Sequence, residues 1–158
     1  MASTLLAIAD AIVTKIDDDW NPTAPNAVSR KYLPDIPNPK DFTEGRQVWV
    51  VPAVATQADI ASRAKDRNAF TLWILFTAKY PADTQGQPTQ AWIDDEVDFV
   101  EDVWRLVTEA RGALLPSPLD DVVAGESRMP VLYDDELLRE NRLFHTGIEV
   151  VYERDESP

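Results

Sequence analysis

The residues of this chain that could do chemistry are mostly carboxylates, and they come in runs. Asp17, Asp19 and Asn21 have the spacing of the first ligands of an EF-hand loop, whose oxygen donors alternate around a calcium ion. The match ends there. Pro22 stands where that loop needs glycine, and Val28 stands where it needs a bidentate glutamate. Asp94, Asp95, Glu96 and Asp98 include enough carboxyl groups for a hydrolase that works with an acid and a base across a cleft. They also open a helical pattern, in what reads as its first turn, where the helix dipole favours negative charge. That placement explains them without a reaction. Asp134-Asp135-Glu136 and the run from Glu153 to Glu156 read as solvated turns and a frayed end.

His145 is the single histidine, so a site built on two imidazoles is excluded. The absence of cysteine excludes disulfides, thiol nucleophiles and thiolate metal sites. The five glycines form neither G-x-G-x-x-G nor G-K-[ST], so no phosphate-cradling loop is present. The expectation is a protein that is not an enzyme and uses no cofactor or metal.

The elements that must position these groups form one domain over residues 1–158, with 153–158 expected as a flexible tail. Leu5, Ile8, Ile12 and Ile16 share one face of a helix spanning Ser3 to Asp18, capped by Ser3 or Thr4. Strands are expected over Ala27–Leu33 and Gln47–Pro52. The strongest is Ala69–Tyr80, whose two apolar faces predict a central strand covered on both sides. Thr56–Asn68 reads as an extended polar arm or the entrance to a strand, with a helical turn as the alternative. A long helix over Ala91–Arg111 carries the stripe Ile93, Val97, Val100, Trp104, Val107. A loop over Leu115–Arg128, a short strand at Met129–Tyr133 and a final strand at Arg142–Glu153 follow. The final strand points Phe144, Thr146, Ile148, Val150 and Tyr152 inward and His145 outward. The fold class is α/β (α+β): a mixed, mainly antiparallel sheet of four to five strands, with an N-terminal helix and one long helix packed on it.

The formal charge of -13 is unevenly spread. Residues 28–80 carry eight basic and five acidic groups, whereas residues 81–158 carry six and nineteen. A solubilising surface is one reading. Head-to-tail self-association is the other, with Arg63, Lys65 and Arg67 of the arm meeting acidic groups such as Asp94 and Asp95 on a neighbour. Trp73 and Trp104 fit core stripes. Trp20 and Trp49 are candidate interface anchors, with core packing as the alternative. The acidity argues against specific nucleic-acid binding. The N-terminus lacks the basic start and unbroken apolar run of a secretory signal, and no segment has the apolar length of a membrane span.

Helix order, RKYLP at Arg30–Pro34, VWVVPA at Val48–Ala53, WIDDEVDFVEDVWRLV at Trp92–Val107 and FHTGIEVVYE at Phe144–Glu153 together resemble the tail terminator or tail completion proteins of long-tailed bacteriophages. The resemblance covers nearly the whole chain and rests on element order and texture, not on a signature motif. It implies an α/β subunit that assembles into a homo-oligomeric, hexameric ring in the virion, formed in the host cytoplasm. The ring would end tail-tube polymerisation and join the tail to the head connector. Its partners would be further copies of itself, the tail tube protein and the connector or neck protein, with DNA passing through the ring. A head-completion or neck protein is the near alternative. An acidic inhibitor or a small hydrolase using Asp94–Asp98 are the distant ones.

Overall fold

A computed structural model describes residues 3–22, 27–31, 45–62, 65–81, 86–108, 119, 122–128, 136, 138 and 142–156. The elements run α1 (Thr4–Trp20), β1 (Val28–Arg30), β2 (Gly45–Ser62), β3 (Lys65–Lys79), α2 (Gln90–Thr108), β4 (Val123–Arg128) and β5 (Leu143–Glu156). This is the helix, three strands, helix, two strands that the sequence predicts.

α1 begins at Ser3, whose hydroxyl accepts the Leu6 N–H at 3.4 Å. It ends at Asn21, which takes the left-handed conformation (φ 51°) and donates its N–H to the Asp17 carbonyl at 2.7 Å. Ile8, Ile12 and Ile16 are fully buried, as their spacing requires. α2 starts earlier than the apolar pattern suggests, because the Thr89 hydroxyl accepts the Trp92 N–H at 3.2 Å. Its buried residues are Glu96, Val100, Val103 and Val107.

The five strands lie in the order β1-β2-β3-β5-β4. β1 is parallel to β2 and every other pair is antiparallel, so the sheet is mixed and mainly antiparallel. β3 is the middle strand, paired along its whole length with β2 on one side and β5 on the other, apart from the Lys65 position on the β5 side. Both helices pack on one face. Their stripes meet Val48 and Val50 of β2, Phe70, Leu72, Ile74 and Phe76 of β3, and Ile148, Val150 and Tyr152 of β5. Two polar bonds fix α2 to the sheet. The Tyr152 hydroxyl donates to the Val107 carbonyl at 2.6 Å, satisfying an acceptor that the helix end leaves open. The Trp104 indole N–H donates to Ser127 Oγ of β4 at 2.9 Å.

Several expectations are corrected. β3 is central, and among the described residues α1 and α2 cover one side of it. On the other side Thr71, Trp73 and Leu75 are half-buried, while Thr77 and Leu143 at one end are fully buried. Of the arm, Thr56–Ser62 and Lys65–Asn68 are strand, the extended alternative, because β2 and β3 form one long hairpin and supply each other's partners. Val123–Arg128, part of the expected loop, is a strand; the strand expected at 129–133 lies outside the described residues. The expected tail is strand as far as Glu156, where Asp66 of β3 is its partner.

Candidate functional site

The interface residues singled out by the sequence do not converge on one place. Arg63 lies outside the described residues. Lys65 and Arg67 open β3 at the far end of the hairpin. There the register sets Arg67 between Asp59 of β2 and Asp155 of β5, and Asp66 opposite Glu156. The basic arm is therefore flanked by acidic positions of its own sheet, and those on β5 lie some ninety residues away in sequence. Charge counted along the chain missed this neighbourhood because β5 returns to it only through the fold.

Trp49 is 5% exposed, on the side of the sheet away from the helices, with the Lys31 ammonium 4.3 Å from its ring centroid. An anchor for a partner must present its ring, and this ring is spent within the chain. Trp20 is half-buried at the end of α1, with the Phe99 ring centroid at 5.0 Å. Asp94 and Asp95 are exposed on α2. They fall in its second turn, because capping at Thr89 leaves no acidic residue in the first. The dipole, which acts within the first turn, no longer accounts for them.

Among the described residues, the cluster that joins the most elements pairs Glu96 with an arginine that the sequence reading did not single out. Arg46, the second residue of β2, presents Nε and Nη2 to the two carboxylate oxygens of Glu96 on α2 at 2.9 and 3.0 Å. The guanidinium carbon lies 4.0 Å from the Phe99 ring centroid and 5.8 Å from that of Trp20. Phe99 also meets Phe76 edge-on at 6.0 Å. One cation thus ties the sheet to the end of α1 and to the N-terminal half of α2. The bidentate geometry compensates for burying the Glu96 carboxylate, whose side chain is 9% exposed. Its sequence signal was available: Glu96 precedes Val100, Val103 and Val107 at steps of four, three and four, so a charge sits on a core stripe.

His145 is half-buried on the outer side of the sheet, its Nδ1 2.8 Å from the Thr77 hydroxyl. Thr77 is fully buried, so this pair presents no reachable nucleophile. Asp19, Asp102, Arg105, Leu106 and Thr108 line an open groove of about 600 Å³ between the C-terminal ends of the two helices. Among the described residues no group of three or more Asp, Glu or His is placed to hold a metal ion, and no helix is long and apolar enough to cross a membrane. Burial pushes the Tyr152 phenol well above the usual tyrosine range.

No protein-family model matches the chain, and no curated protein matches it.

Proposed function

We propose that this protein is a structural subunit of a bacteriophage virion, a tail terminator that assembles into a ring, ends tail-tube polymerisation and joins the tail to the head connector. The observation that carries the reading is the fold: a mixed sheet with α1 and α2 packed on one face, the kind of α/β subunit that the resemblance implies. The functional groups support it as well. The best-built polar cluster, Arg46–Glu96, is spent on holding elements together and is not displayed in a cleft. Subunits of this kind act through surfaces, and Asp94, Asp95, Asp98 and Asp102 along α2 are exposed on such a surface.

Removing the gene from its phage tests the proposal. The expected result is tails of irregular length that fail to join filled heads. Normal infectious virions made without the protein would overturn it. Heads that leak DNA beside tails of normal length would move the assignment to a head-completion role.

A further inference from the structure

β2 has 18 residues and β3 has 15, yet they pair from end to end. The difference is taken up where the register slips between Pro52 and Val54, between Gln57 and Asp59, and between Ile60 and Ser62. Each slip leaves one β2 residue without a partner on β3, and each time it is alanine: Ala53, Ala58 and Ala61. On its other side β2 pairs with β1 only over Val48–Val50. Among the described residues its outer edge is therefore open from Val51 to Ser62.

The direction of that edge follows from two bonds. The Val48 N–H donates to the Ala27 carbonyl at 2.8 Å, and the Val50 carbonyl accepts from the Lys31 N–H at 2.9 Å. Even-numbered positions thus turn their peptide groups outward, and the next one is Pro52, which has no N–H to offer. A long open edge is a template on which another strand can add. A bulge breaks the regular spacing of the ladder, bends the strand and increases its twist. Proline removes a donor where an added strand would need it. Among the described residues β2 has the longest open edge, and it is the strand that carries all three of these bulges and the proline.

We infer that Pro52 and the alanine bulges at 53, 58 and 61 guard the outer edge of β2 against strand addition by further copies of the chain. The guard stands independently of the ring proposal. It concerns open-ended growth through backbone pairing, whereas a ring is a closed assembly of fixed size.

Deletion of Ala53 and Ala58 tests it cleanly, because each deletion joins residues that are already paired and leaves every cross-strand pair in place. Combined with Pro52→Val in the full chain, it restores both the donor and the spacing. Growth is followed by light scattering and thioflavin fluorescence over a range of concentrations, with near-UV circular dichroism reporting the native tryptophan packing. The expected result is open-ended, thioflavin-positive growth of the natively packed triple variant where the parent gives none. Pro52→Val alone, with the bulges intact, is expected to grow more slowly than the triple variant and faster than the parent. A triple variant with the parental spectrum and no growth beyond the parent overturns the inference, leaving the bulges a purely shape-giving role. Where the deletions abolish the native spectrum, Pro52→Val decides alone: growth above the parent supports the guard, and parental behaviour overturns it.

Discussion

On the helix side of β3, Phe70, Leu72, Ile74 and Phe76 are at most 5% exposed; on the opposite side Trp73 and Leu75 keep part of their surface accessible. Both sets are apolar and they alternate along one strand. What separates them is the destination of the two helices. Ile8, Ile12 and Ile16 of α1 and Val100, Val103 and Val107 of α2 meet the first set. The alternation of a strand shows that both faces tolerate apolar groups, and the number and placement of the covering elements decide which face becomes core. The outer side gains its burial unevenly, tightly at Trp49, Val51, Thr77 and Leu143 and only partly around Trp73.

The difference between the faces can be broken from the helix side first. Arg46→Met leaves the buried Glu96 carboxylate without its partner, and the expected loss is about 3–5 kcal/mol in denaturant unfolding. The double variant Arg46→Met/Glu96→Leu should recover most of that loss, since a packed apolar pair avoids burying charge. An equal loss in both would mean that the pair holds the helices in register by geometry that leucine and methionine cannot supply. Next comes a matched pair on β3. Ile74→Ala should cost about 2–5 kcal/mol, because its methyls fill space between helices and sheet. Leu75→Ala should cost less than half as much, and equal costs would erase the distinction between the faces. Leu75 also lies over Gly147, where an added Cβ would come within 2.8 Å of its Cδ2. A side chain at 147 must therefore push that methyl aside.

Tyr152→Phe removes the bond to the Val107 carbonyl at an expected cost of about 0.5–1.5 kcal/mol near neutral pH. It also has a pH signature. Burial raises the phenol's pKa in the folded state, so the unfolded chain ionises first, at about pH 10. The unfolded state then binds fewer protons, and stability is lost as pH rises from there towards the folded value. The parent should lose this increment above about pH 10, and the phenylalanine variant should lack that part of the decline. The smallest effect is expected at Arg105, whose side chain is 73% exposed and faces Glu101 and Asp102 at 3.7 and 3.9 Å. Arg105→Ala should change stability by no more than about 0.5 kcal/mol. Set against Arg46, it separates a buried bidentate pair from an exposed one.

The elements that were legible in the sequence are those with their own apolar period or cap: α1 with Ser3, the centre of β3, and the inward set of β5. The far ends of β2 and β3 were not legible. ATQADIAS and KDRN carry little apolar alternation, and they are strand because each has a partner beside it. VAGESR of β4 is equally plain and is strand through β5 and the Trp104–Ser127 bond. The candidate interface was legible only as charge and tryptophan content. What stands beside a residue depends on neighbours far away in sequence: Asp155 at the register position of Arg67, Glu96 bonded to Arg46, Lys31 over Trp49.

Negative-stain electron microscopy of the purified full-length protein at low salt, with sedimentation velocity on the same sample, reads out whether the chain is a ring-forming subunit. Closed rings with a central opening and a single sedimenting species of fixed subunit number are expected. A single species of about 17.7 kDa that persists at high protein concentration, with no rings on the grid, would contradict it.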